Sequence, residues 1–169
     1  VFVGDAGTTV ASGPSRRDGV EISAFYQMNR WVSVDLDYAL ANARFTNQNS
    51  LENHVPGSVR GVGKLVIAVD NFGPYFGSVS LRYFGKRWLA EDNSAQSNGT
   101  MRLNGQIGVK INKRFTVNLQ GFNLLGAKAN AIDYFYTSRL PGEPTSGIDD
   151  IHFHPIETTS FRINLVGNF

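Results

Sequence analysis

From Gly19 onward, apolar and polar residues alternate with period two along most of the chain. Val20, Ile22, Ala24 and Tyr26 oppose Glu21, Ser23, Phe25 and Gln27, and Val32, Val34, Leu36, Tyr38 and Leu40 oppose Ser33, Asp35, Asp37, Ala39 and Ala41. Side chains of an extended chain point to opposite faces in turn, so each segment predicts a strand with one oily and one wet face. A third and a fourth strand follow over about 59–69 and 74–85, where Leu65, Ile67 and Val69, then Tyr75, Val79, Leu81 and Tyr83, form the oily side. The alternation is cleanest at Met101, Leu103, Ile107, Val109 and Ile111 against Arg102, Asn104, Gln106, Lys110 and Asn112. Phe115, Val117 and Leu119 oppose Thr116, Asn118 and Gln120 on the way back. The closing strand puts Phe161, Ile163, Leu165, Gly167 and Phe169 on one face, and Arg162, Asn164, Val166 and Asn168 on the other.

The connections divide into two kinds. They are short at 28–30, 70–73 and 112–114, and long and polar at 8–18, 46–58, 90–100 and 127–157; 1–7 reads as the end of one further strand. Strict alternation of tight turns and long loops is the asymmetry of outer-membrane barrels. Tyr26, Trp31, Tyr75, Phe115 and Phe169 lie beside the short turns or the terminus, where one aromatic girdle would sit. Tyr83, Trp88 and the Tyr134-Phe135-Tyr136 cluster lie towards the other rim. The fold class predicted is all-β: an antiparallel transmembrane β-barrel segment of about seven strands plus the end of one more.

Composition leaves that picture intact. The apolar fraction is 41%, slightly low for a globular core, while 18 Gly, 12 Phe and 6 Tyr favour short strands over helices. No run of about 18 apolar residues could make a membrane helix, but a spanning strand needs only about 9 to 11 residues. Its alternation keeps mean hydropathy modest, as the value of -0.19 is. A net charge of +2 and the lack of any basic run with interleaved aromatics give no reason to expect nucleic acid. The absence of cysteine removes disulfides, thiolate metal sites and thiol nucleophiles together. A soluble β-sandwich binding module would also alternate. Against it stand the even strand lengths, the one-sided long loops and the charged wet-face residues Glu21, Asp35, Asp37, Lys64, Arg82, Arg102, Lys110 and Arg162.

Several stretches carry a resemblance. They are 14–21, 31–45, Val55-Pro56-Gly57, Leu81-Arg82-Tyr83-Phe84-Gly85, Gly121-Phe122-Asn123-Leu124-Leu125, 133–143 and 149–155, in that order, ending on a terminal Phe. In this order they resemble the C-terminal barrel segment of TonB-dependent outer-membrane receptors of Gram-negative bacteria. The resemblance implies a barrel of about 22 strands around a plugged lumen, of which residues 1–169 supply the last part. The N-terminal plug and earlier strands are expected to lie outside this chain, which opens on Val1-Phe2-Val3-Gly4 without an initiator methionine or a signal sequence. It implies an active transporter in the outer membrane, taking up a scarce ligand such as a ferric siderophore or similar metal chelate. Its partners would be outer-membrane lipid, the barrel-assembly machinery, and the TonB complex through the N-terminal part; no cofactor is expected. A passive porin or autotransporter-type barrel is the alternative from the strand pattern alone.

Within that frame, Phe161, Ile163, Leu165 and Phe169 look like the terminal signal read by the assembly machinery, and the last strand must also pair with the first to remove an open edge. The long connections hold the candidates for ligand contact: Tyr134, Tyr136, Arg139, His152 and His154. Aromatic rings and an arginine suit an aromatic or anionic chelate. Asp149, Asp150, His152 and His154 have a metal-ligand flavour, but a structural site normally needs four ligands with second-shell support, and no metal site is assigned. No Gly-x-Ser-x-Gly elbow or His-Glu-x-x-His helix occurs. Asp35 and Asp37 read as a wetted pair rather than an acid/base dyad, because nothing separates their environments. No catalytic residue is expected.

Overall fold

Alternating sequences of this kind become strands because β-branched and aromatic residues fit a pleated surface with one face kept apolar. A computed structural model of the chain describes residues 13–47 and 53–168, together with the backbone of two short strands before them. Those two are β1 (Phe2–Val3) and β2 (Thr8–Thr9), which pair only with each other. Then come β3 (Ser15–Gln27), β4 (Val32–Phe45), β5 (Gly61–Phe72), β6 (Tyr75–Phe84), β7 (Thr100–Lys110) and β8 (Phe115–Phe122). The last three are β9 (Asn130–Ser138), β10 (Ile148–Pro155) and β11 (Ser160–Gly167).

Seven strands form one antiparallel sheet in the order β11-β8-β7-β6-β5-β4-β3, and the sheet is not closed. Its register carries the two faces across every strand. Ala24, Leu36, Leu65, Leu81 and Leu103 form one apolar cross-strand row; Gly77, Ile107, Leu119 and Ile163 belong to another. On the opposite face Ser23, Asp37, Lys64, Arg82 and Arg102 stand in one row. Neither face is covered by a second layer of described residues. Among the described residues, Phe45 and Ala95 are the buried hydrophobic side chains, while Ile107, Phe161, Ile163 and Leu165 are each at least 66% exposed. A sandwich would have brought such rows together in a core. A continuous apolar surface beyond a few hundred Å² is instead the mark of a membrane or partner surface.

The tight connections fall at one end and the long ones at the other, as the spacing predicts. Two of the tight turns are built alike. Asn29 Oδ1 accepts from the backbone N–H of Trp31 (2.8 Å) and Val32 (3.0 Å), and Asn112 Oδ1 accepts from those of Arg114 (2.8 Å) and Phe115 (2.9 Å). The short side chain stands in for a backbone carbonyl and closes the reversal. At the third, β5 runs on through Asn71 to Phe72, so the reversal is Gly73-Pro74 rather than 70–73; Asn71 at φ 56° and Gly73 at φ 62° take left-handed values that asparagine and glycine tolerate best. At the same end, Trp31 packs edge-on to Phe72 with centroids 5.4 Å apart, and the Arg30 guanidinium sits 4.3 Å over the indole. Tyr26, Tyr75 and Phe115 are on the apolar face near this end. Phe169 lies outside the described residues.

Towards the long-loop end, Tyr38 opposes Gly63, and a Cβ there would come within 3.0 Å of the ring. The glycine makes room for the aromatic to lie flat across the strand.

The structure differs from the sequence reading in three further places. Within the expected loop 8–18, residues 8–9 form β2 and β3 begins at Ser15, so 8–9 and 15–18 are strand. Residues 2–3 join the small β1–β2 ladder rather than the large sheet. Most of the long connection 127–157 is a second hairpin, β9–β10, forming a sheet of its own.

Candidate functional site

The long-loop end gathers three connections: the one after β4, described at 46–47 and 53–60, then 85–99 after β6 and 123–159 after β8. The third is anchored at its base by Asn123, whose side chain is nearly the most buried polar group described. Its Nδ2 donates to the carbonyls of Ala127 (3.0 Å) and Glu157 (3.1 Å), and its Oδ1 accepts from Ala127 N–H (3.0 Å). Its backbone N–H donates to Asn104 Oδ1 (2.9 Å), and its carbonyl accepts from the Thr159 hydroxyl (2.7 Å). Its side chain therefore ties the two ends of the connection together, and its backbone N–H fastens them to β7.

The hairpin rising from that base is rich in Ile, Tyr and Phe, which favour strand, and its reversal over 139–147 carries Gly142 at φ 96° and Gly147 at φ 76°. Its register places Tyr134 opposite His152, Tyr136 opposite Asp150 and Ile132 opposite His154. The rings then meet along the diagonal: Tyr136 stacks on His152 at 4.0 Å and 16°, and Tyr134 meets His154 edge-on at 6.5 Å and 83°. His152 Nε2 is buried without a hydrogen-bond partner.

The opposite face of the hairpin is tied down. Asp133, nearly buried, accepts from Arg87 Nη2 at 2.9 Å and from Asn130 Nδ2. Between this pair and the first connection lies a cleft of about 480 Å³, lined by Val55, Pro56 and Gly57, by Arg87 and Leu89, and by Ile132 to Tyr136. Next to it, His54 and Trp88 pack with ring centroids 5.2 Å apart, and His54 Nδ1 and Trp88 Nε1 are both buried without partners. Burial, and secondarily the charges of Arg44 and Arg60, hold the His54 imidazole below its usual pKa. An aromatic, half-enclosed cleft with a few convergent polar groups is the common form of a small-molecule site.

Chains of known structure share this architecture. The ferric yersiniabactin uptake receptor FyuA from Yersinia pestis matches at a TM-score of 0.68 and 18% identity, covering 92% of this chain and 24% of that one. The ferric-catecholate import receptor Fiu from Escherichia coli K12, in its closed form, matches at 0.74 and 19%, covering 98% and 22%. The siderophore receptor PiuA from Acinetobacter baumannii matches at 0.71 and 14%, covering 90% and 21%. The chain has the fold of a stretch of barrel wall in these structures. It spans about a quarter or less of the length of these structures, and at such identities the likeness is one of fold. No protein-family model and no curated protein matches the sequence.

Of the five candidate ligand residues, Tyr134, Tyr136, His152 and His154 share one face of the hairpin, and both tyrosines line the cleft. Arg139 stays at the tip, where its Nε donates to the Glu143 carbonyl at 3.2 Å. Asp149 falls on the opposite face from the two histidines and accepts from the Thr137 hydroxyl, so the four possible metal ligands do not converge. The sequence reading missed Arg87 as a wall of the cleft. An arginine in a loop gives no local sign of a partner 46 residues away.

Proposed function

We propose that the chain is the C-terminal part of an outer-membrane receptor barrel in a Gram-negative bacterium, an active transporter rather than an enzyme. Its ligand is a ferric siderophore or similar metal chelate, and uptake draws on TonB-delivered energy through the N-terminal part of the protein. The single observation that carries this reading is one sheet with an uncovered apolar face and an uncovered polar face. Lipid suits the first, and a water-filled or plugged lumen suits the second. The three similar structures are a ferric yersiniabactin uptake receptor, a ferric-catecholate import receptor and a siderophore receptor, which favours a chelate over other cargo. The cleft beside Tyr134 and Tyr136 is the contact surface in this reading, and Tyr136 is held by its stack on His152.

Membrane fractionation and radioiron uptake test the reading in the native host. The protein should sediment with the outer membrane, and its deletion should abolish uptake of at least one ferric chelate. Replacing Tyr134 and Tyr136 by alanine should weaken chelate binding about tenfold or more, or ~1.4 kcal/mol, at an unchanged protein level. Recovery in a detergent-free soluble extract would end the proposal, as would unchanged uptake of every chelate tried.

A further inference from the structure

Ile132, Asp133, Tyr134, Phe135 and Tyr136 all line the long-loop cleft, yet no residue of β10 does. Successive residues of a strand point to opposite faces, so a run of them meets one space only along the strand's edge. The cleft therefore opens on the edge of β9 that β10 leaves free. In an antiparallel pair alternate residues bond to the partner strand, and the residues between them turn N–H and C=O outward. Among the described residues β9 pairs with β10 alone, and no backbone group of another segment bonds to its outer edge.

The two edges of the hairpin are unlike. β10 carries Asp149, Asp150, Pro155 and a register shift at His154–Pro155, features that blunt an edge against further pairing. β9 has no proline, and its charged residue, Asp133, is neutralised by Arg87 at 2.9 Å. The facing wall has no backbone donor to spare. Val55, Gly57 and Leu89 give their N–H groups to the carbonyls of Ala43, Trp88 and Ala95, Arg87 gives its own to Ser97 Oγ, and Pro56 has none. The cleft thus presents one row of backbone donors and acceptors between walls without net charge. An aryl group suits the walls but leaves that row unpaired, whereas an extended polyamide answers both.

We propose that the outer edge of β9 receives an extended peptide by strand addition, so that the chelate bound here is peptidic, with uncharged side chains where it touches the cleft. Strand addition here rests on the reading of the cleft as the chelate contact surface. Residues 132–136 extend over roughly 16 Å at about 3.3 Å per residue, which matches a peptide of about five residues.

The test uses the full-length protein in detergent and a pool of linear peptides of about five residues. The peptides are randomised among uncharged side chains and carry hydroxamate arms that hold gallium(III) in place of iron. Affinity selection read by mass spectrometry should recover members of the pool, and calorimetry then measures the strongest. Its amides are N-methylated at alternate positions, first one set and then the other. One set faces β9, and its methylation should weaken binding about tenfold, while methylation of the other set should change little. Hydrogen exchange across 132–136 should slow when the unmethylated peptide binds. Because the change is made in the ligand, folding of the receptor is not at stake. Recovery of no peptide, equal effects of the two methylated sets, or unchanged exchange across 132–136 overturns strand addition. Radioiron uptake separates the two readings: a protein that takes up ferric chelates without these signals loses the peptide pairing alone. Absence of all chelate uptake overturns the transport reading and this one with it.

Discussion

Arg87 donates to Asp133 at 2.9 Å, joining the connection after β6 to a hairpin 46 residues further along the chain. The two side chains are only 13% and 3% exposed. A buried pair of this kind adds little net stability over apolar packing, but removing one partner leaves an uncompensated charge.

Arg87→Ala should therefore release the hairpin while leaving the large sheet intact. The loss is about 3 kcal/mol of local stability. Hydrogen exchange by mass spectrometry should show faster exchange across 130–155 and unchanged protection in β4 to β7. Equal loss of protection in both regions would refute this separation.

Asn123 makes a second, sharper case. Its side chain satisfies the carbonyls of Ala127 and Glu157, and its backbone is left-handed at φ 49°. Asn123→Ala leaves those carbonyls unpaired and strains the backbone, costing about 1–3 kcal/mol for the lost bonds and about 1–2 for the conformation. Asn123→Gly relieves the second cost alone, so it should melt between wild type and the alanine variant. A glycine variant no more stable than the alanine variant would show that the backbone conformation matters less than argued.

The His54–Trp88 packing should depend on pH. Because the folded imidazole is held below its ordinary value by burial and by Arg44 and Arg60, the unfolded loop takes up a proton first as the medium is acidified. Stability is full above about pH 6.5 and is lost as pH falls from there through the lowered folded value. Below both values it changes no further. In a Trp31→Phe background, Trp88 emission should shift on going from neutral to acidic buffer, and His54→Phe should flatten the curve.

The matched turns at Asn29 and Asn112 should behave alike. Replacing either by alanine removes two acceptor contacts to backbone N–H groups at an exposed site, costing about 1 kcal/mol each. The turns share no partner, so the double variant should show the sum. Thermal denaturation of the four proteins in detergent tests additivity, and a strongly non-additive result would count against independent turns.

The large sheet was legible in the sequence because its information is local. Period-two alternation at Val32–Leu40 or Met101–Ile111 assigns each side chain to a face, and a turn of three or four residues leaves antiparallel pairing as the available geometry. The β9–β10 hairpin was not legible. Ile132, Tyr134 and Tyr136 alternate with Asp133, Phe135 and Thr137, so neither side reads as oily or wet, and Asp149-Asp150 and Pro155 suggest loop. The polarity of that hairpin is set by distant partners, Arg87 on one side and stacked histidines on the other. What the sequence determined by itself was thus a strand order and two chemically distinct faces. Only the tertiary structure decided that Arg87 meets Asp133 and that Tyr134 and Tyr136 line a cleft, because both depend on how segments distant in the chain are brought together.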